Sequence, residues 1–189
     1  MAHEANGHDG GSILKVGINL TIACLISGAI IAGTYWVTHP VAVKELVHQH
    51  NLAMQELVKD AQDFKPVAGK TDWYAAVKDG KTIAYVVPAD SIGYGGTITM
   101  ITAVSLDGRD LGYKIIDHNE TPGLGANATK PQFSHQFIGK KAADLVVVKH
   151  ETTKNIQAMT GATITSRAVT KGVREAVERV DQYIASQKK

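Results

Sequence analysis

An α+β fold behind one membrane-spanning helix is what this sequence predicts, and three observations predict it. Residues 16–37, VGINLTIACLISGAIIAGTYWV, contain no charged side chain. Short runs rich in β-branched residues follow, separated by Asp-Gly dipeptides. One long amphipathic stripe comes last, so strands precede a helix as they do in α+β domains.

Taken in order, residues 1–12 are polar and glycine-containing and read as a disordered tail. Residues 13–38 read as the spanning helix, because about 20 apolar residues at 1.5 Å rise cross a hydrocarbon core of about 30 Å. A signal peptide has a shorter apolar region, about 7–15 residues, followed by small residues at the cleavage site. This run is longer and ends in Tyr35 and Trp36, which suit a membrane interface. Gly28 with Ala32, and Ala29 with Gly33, form small-xxx-small pairs that permit close helix contact and so suggest other membrane proteins beside it. Lys15 on one side and His39 and Lys44 on the other leave the positive-inside rule almost silent on orientation.

His39-Pro40 predicts a break, and Val43, Leu46, Val47, Met54, Leu57, Val58 and Ala61 then recur at helical spacing. Residues 39–64 therefore read as an amphipathic linker helix, and residues 65–189 as the soluble domain. Strands are expected over 73–77 and 82–87, flanking the hairpin dipeptide Asp79-Gly80, and over 97–105 and 111–117, flanking Asp107-Gly108. A polar stretch covers 119–131, and DLVVVK at 144–149 reads as a buried strand. The last element is a helix over 166–186, with Val169, Val173, Ala176, Val177, Val180 and Ile184 on one stripe. About 150 residues outside the membrane suffice for one core.

Composition excludes several functions. A formal net charge of +2 and a pI near 8.6, without clustered Lys/Arg, do not describe a nucleic-acid binder. Cys24 is the single cysteine and lies in the apolar run, so neither a disulfide framework nor a cysteine-held cluster is available. The eight histidines show no metal-type spacing, and no GxGxxG follows a strand.

Two segments carry more than packing. Thr160-Gly161-Ala162-Thr163-Ile164-Thr165-Ser166 leads into the last helix, where small residues and unpaired N–H groups make a seat for phosphate. An ordinary N-cap accounts for the same Thr and Ser. His118-Asn119-Glu120-Thr121-Pro122-Gly123-Leu124-Gly125 specifies a rigid turn that brings main chain close to something flat or anionic. Upstream, Gly93-Tyr94-Gly95-Gly96 is a second glycine-rich turn, with an aromatic that can line a pocket.

HxETPGLG followed by TGATITS, behind a single N-terminal span, resembles the RnfG-type member of the Rnf ion-translocating electron-transport complex. It is also similar to the NqrC-type member of the sodium-translocating NADH:quinone oxidoreductase. The resemblance implies an FMN-binding domain on the outer face of a prokaryotic inner membrane, with the tail in the cytoplasm. It implies FMN held covalently on Thr163 by a phosphoester bond that a flavin transferase makes. Thr160, Gly161, Ala162, Thr165 and Ser166 would surround the phosphate, and Glu120, Thr121, Gly123, Leu124 and Gly125 would lie near the ring. The implied role is an electron relay between reduced ferredoxin and NAD⁺, among iron–sulfur and flavin subunits, in a chain that does not turn over alone. A membrane anchor or assembly module without functional flavin is the alternative from another class. The family often has Asp where this chain has Gln157, which bears on recognition by the transferase.

Overall fold

A computed structural model describes residues 10–187. They fall into two compact units, Met1–His48 and Gln49–Lys189. Helix α1, Gly10–Leu57, has residues in both. It does not stop at His39-Pro40, where the sequence predicts a break, and it ends at Leu57, short of the expected linker boundary. A proline removes one backbone bond, but a long helix absorbs a single such loss. Residues 10–12 of the expected disordered tail form the first turn of α1, and residues 1–9 lie outside the described residues.

In the first unit, Leu14–His39 is long and apolar enough to cross a membrane, and its side chains are exposed. The Thr21 and Thr34 hydroxyls donate to the Gly17 and Ile30 carbonyls one turn back, at 2.9 and 2.8 Å. These hydroxyls are thereby satisfied inside the helix, as a bilayer requires.

The second unit is built on an antiparallel sheet of β1 Asp63–Pro66, β2 Tyr74–Lys78, β3 Lys81–Pro88, β4 Ser91–Ile92, β5 Thr97–Ser105 and β6 Asp110–Asp117. Its order is β1-β2-β3-β5-β4, with β6 also paired to β5. The β2–β3 hairpin turns through Asp79 (φ 51°) and Gly80 (φ 76°), the left-handed pair that a tight two-residue turn demands. One sheet face packs on Ala53, Met54 and Val58, through Ala76, Ala84, Val86, Ile101 and Ala103. The other packs on α3, Thr163–Gln187, whose Val169, Val173, Ala176, Val177 and Val180 are buried against Val87, Ile98, Met100 and Val104. Gly172 sets the approach of that helix, since a Cβ there would stand 2.1 Å from the Ala89 carbonyl oxygen.

Two elements depart from expectation. The apolar run over 144–149 is not a buried strand. Only β7, Val147–Val148, pairs, in parallel with β8, Ile156–Gln157, while Asp144 closes a 3-10 turn over Ala142–Asp144. Local bonds from the Leu145 N–H to Ala142 O (3.2 Å) and from the Val146 N–H to Asp144 O (2.9 Å) take the backbone groups a longer strand would need. Helix α3 begins at Thr163 rather than at Ser166, because the Ser166 N–H already bonds the Ala162 carbonyl at 3.0 Å.

Asp110 opens β6 and is fully sealed from solvent. Burial pushes its carboxyl up to about 7, against the opposing effect of the Thr102 hydroxyl. Thr102 Oγ1 lies 2.5 Å from Asp110 Oδ1 and 3.0 Å from the Gly112 carbonyl oxygen. Asp110 Oδ2 has no hydrogen-bond partner. A hydroxyl has one proton to give, so both contacts are hydrogen bonds only when Asp110 carries a proton and donates to Thr102.

Candidate functional site

Three segments distant in sequence meet at the start of α3. The 93–96 turn is closed by the Gly93 N–H bonding Gly96 O at 2.8 Å. In the 120–125 loop, the Thr121 carbonyl accepts from the Leu124 and Ala126 N–H groups, each at 3.2 Å. Gly123, at φ 78°, lets that loop reverse, and its carbonyl accepts from Asn127 Nδ2 at 2.6 Å. The third segment turns at Gly161 (φ 76°), and the Ala162 N–H bonds Met159 O at 3.1 Å before the helix begins.

Between them lies a cavity of about 550 Å³, within the range of about 300–1,000 Å³ usual for small-molecule and cofactor sites. Tyr94 lines it from the first segment, Thr121 and Leu124 from the second, and Thr163 and Ile164 from the third. Tyr94, Leu124 and Ile164 are exposed apolar side chains, 70%, 44% and 56% accessible. Large apolar groups left open around one cavity mark a surface that receives something apolar. Thr163, half-buried, is the first residue of the helix. The N–H groups of Thr163, Ile164 and Thr165 precede the first intrahelical bond and are free to hold an anion.

The predicted residues divide into two sets. Glu120, Thr121, Leu124, Gly125, Gly161, Ala162, Thr163 and Thr165 line the cavity, while Gly123 shapes the loop behind it and Thr160 stands exposed outside the lining. Thr165 and Ser166 also belong to the segment, but their hydroxyls are occupied within the protein. Ser166 Oγ donates to Ala162 O at 2.9 Å and accepts the Met159 N–H at 3.0 Å. Thr165 Oγ1 donates to Glu120 Oε2 at 2.5 Å. Glu120, nearly buried, also accepts the Gly95 N–H at 3.0 Å, and its own N–H bonds His118 Nδ1 at 3.1 Å. His118 therefore orients the loop.

Gly125 is small for a reason the motif does not give: a Cβ there would stand 2.2 Å from Glu120 Oε2. Sequence reasoning misses Ile164, since an isoleucine in a helical first turn carries no signal until its exposure is known. It misses Gln136 as well. The Gln136 Oε1 accepts the Gln157 N–H at 2.7 Å and its Nε2 donates to Gln157 O at 3.4 Å, so one side-chain amide serves as a strand partner for the approach to Thr160.

Residues 93–178 match the family model of the FMN-binding domain. Over 180 residues the chain is 58% identical to the G-type member of the proton-translocating ferredoxin:NAD(+) oxidoreductase complex of Clostridium ljungdahlii, covering 95% of this chain and 97% of that one. It is 34% identical over 188 residues to the Na(+)-translocating counterpart of Acetobacterium woodii, covering 88% and 90%. A crystal structure of the C-type member of the Na(+)-translocating NADH-quinone reductase from Parabacteroides distasonis shares 28% identity, with a TM-score of 0.49 over 58% of this chain and 60% of that one.

Proposed function

The chain belongs to the RnfG family of ion-translocating ferredoxin:NAD(+) oxidoreductase complexes, and from that premise we propose that it carries FMN on Thr163 through a phosphoester bond. The observation that supports this reading most is the position of the Thr163 hydroxyl. It opens α3 beside unpaired N–H groups, at the edge of a cavity with an apolar rim. Those N–H groups suit a phosphate, and Tyr94, Leu124 and Ile164 suit a flat apolar ring. Bound there, FMN would supply one- and two-electron transfer.

Joining a free phosphate to a hydroxyl with loss of water is uphill in water, so the donor is an activated flavin dinucleotide held by a flavin transferase. The Thr163 Oγ–P bond forms as the bridging P–O bond of the donor breaks. AMP leaves with the electron pair, and the hydroxyl proton passes to solvent. The fold then keeps the attachment point rigid and shields one side of the cavity. The chain itself acts as an electron relay within the complex and does not turn over alone.

The apolar helix Leu14–His39 and the membrane complexes of the chain's relatives support reading it as a single-pass component of a prokaryotic inner membrane, with residues after about 39 outside the cytoplasm. Its partners are the other membrane, iron–sulfur and flavin subunits.

The test is the full chain co-expressed with a flavin transferase. Yellow-green fluorescence on a denaturing gel, lost in Thr163→Val, is the expected result. In the assembled complex the same variant should stop ferredoxin-driven NAD⁺ reduction. Fluorescence that persists in Thr163→Val, or normal NAD⁺ reduction without the label, overturns the proposal.

A further inference from the structure

We infer that Glu120 is a positioning residue, a strut that ties the 93–96 turn and the 120–125 loop to the first turn of α3 and so fixes where the Thr163 hydroxyl stands. The inference rests on the reading of Thr163 as the attachment residue.

A helix start is the weakest part of a helix, because its first N–H groups have no partner one turn back. In α3 the earliest bond is from the Ser166 N–H to Ala162 O, so Thr163 stands ahead of it. Its first turn is instead held from outside. Glu120 Oε2 accepts from Thr165 Oγ1 at 2.5 Å, across 45 residues of sequence, and Glu120 Oε1 accepts from the Gly95 N–H at 3.0 Å, across 25. One side chain thereby joins the three segments that line the cavity.

The glycines around it are cut to its shape. A Cβ on Gly93 would stand 2.2 Å from Glu120 Oε1, and one on Gly125 would stand 2.2 Å from Oε2 and 2.7 Å from Thr165 Oγ1. Gly95 has room for no Cβ either, with the Asn119 carbonyl oxygen 1.9 Å away. The space cleared in these turns is filled by a carboxylate of the protein itself. Glu120 and Thr165 both line the cavity, but with 6% of its surface accessible and both oxygens bonded Glu120 acts through Thr165.

Reach and charge separate this role from a direct contact with flavin. Glu120→Gln keeps the length and can make both bonds. Glu120→Asp keeps the charge but is one methylene short. The full chain is given to a flavin transferase with FAD, at a temperature where every variant is folded by near-ultraviolet circular dichroism. Glu120→Gln should label within about twofold of the wild type, because an amide can serve both partners. Glu120→Asp and Glu120→Ala should lose about 10–100-fold in the kcat of labelling with KM for FAD unchanged, as for a misplaced reacting group. Thr165→Val should match Glu120→Ala, Thr165→Ser should restore labelling, and the double variant should be no worse than either single one. Hydrogen exchange at the Ser166 amide should quicken in Glu120→Asp with or without flavin.

Normal labelling of Glu120→Asp with failure of Glu120→Gln overturns the strut in favour of charge. A raised KM at unchanged kcat overturns it in favour of a flavin contact, and unchanged exchange at Ser166 overturns it whatever the label does. A wild-type chain labelled away from Thr163, or not at all, overturns the attachment reading and this inference with it. In that case the exchange result still reports whether the strut exists.

Discussion

Glu120 and Asp110 are both nearly sealed from water, and the surroundings of the two carboxyl groups differ completely. Around Glu120 each oxygen has a donor of its own, the Gly95 N–H and the Thr165 hydroxyl, and glycines stand wherever a side chain would intrude. Around Asp110 one hydroxyl is shared with a carbonyl, Oδ2 has no partner, and burial pushes the carboxyl up to about 7. A buried acid is thus accommodated by bringing donors to it or by keeping its proton on. The first solution appears where three loops must be locked together beside a cavity. The second appears at the start of a strand, where the Thr102 hydroxyl and the Gly112 backbone lower the carboxyl by less than burial raises it. Tyr113, close by on β6, is itself pushed up by burial and then by Asp110, so ionising either group in this core is unfavourable.

The comparison breaks most severely at Gly125. Gly125→Val would drive side-chain atoms into the Glu120 carboxylate and part it from Thr165. Overpacking together with a buried charge torn from its partner should cost about 4–6 kcal/mol, read as a lower urea midpoint together with lost flavin labelling. A midpoint shift below about 1 kcal/mol would mean that the site yields easily and the lock is loose.

Asp110 gives the next largest effect, and its sign is opposite to that of an ordinary paired carboxylate. The folded-state value is raised from 3.8 to about 7, so the folded state binds the extra proton between those values. The stability it contributes is present below about pH 4, is lost as pH rises toward about 7, and is flat above, with a total of up to about 4 kcal/mol. Asp110→Asn mimics the neutral acid and should remove this slope, gaining on the wild type across that window in urea denaturation. Parallel wild-type and variant curves would show that Asp110 is already ionised at low pH and finds donors the static geometry lacks.

The smallest effect sharpens the contrast between crowding and backbone strain. Gly123 has φ 78° and open space where a Cβ would go. Gly123→Ala should therefore cost only about 1 kcal/mol, from the left-handed backbone alone, and leave the bond from Thr165 to Glu120 intact. A cost as large as that of Gly125→Val would mean that the loop presses against an apolar ring or a partner at that point.

Local chemistry made much of this molecule legible in the sequence. The uncharged run gave the spanning helix, Asp79-Gly80 gave the hairpin, and the valine stripe from Val169 to Val180 gave the helix that covers the sheet. Each is a periodic or nearest-neighbour signal, which one segment carries by itself. The TGAT segment and the ETPGLG loop stood out as small-residue segments, and the structure brings them to one cavity. What tertiary structure alone decided was the use of those residues. Pro40 failed to end its helix because a long helix tolerates one missing bond. The run at 144–149 became turns because its backbone groups found closer partners. The bonds from Gly95 and Thr165 to Glu120 were not legible because those partners lie 25 and 45 residues away, and a polar pair of that separation leaves no period in the sequence. For the same reason nothing local distinguishes Gly125, which makes room for a carboxylate, from Gly123, which turns the chain. The difference exists only once three distant segments have been folded onto one helix end.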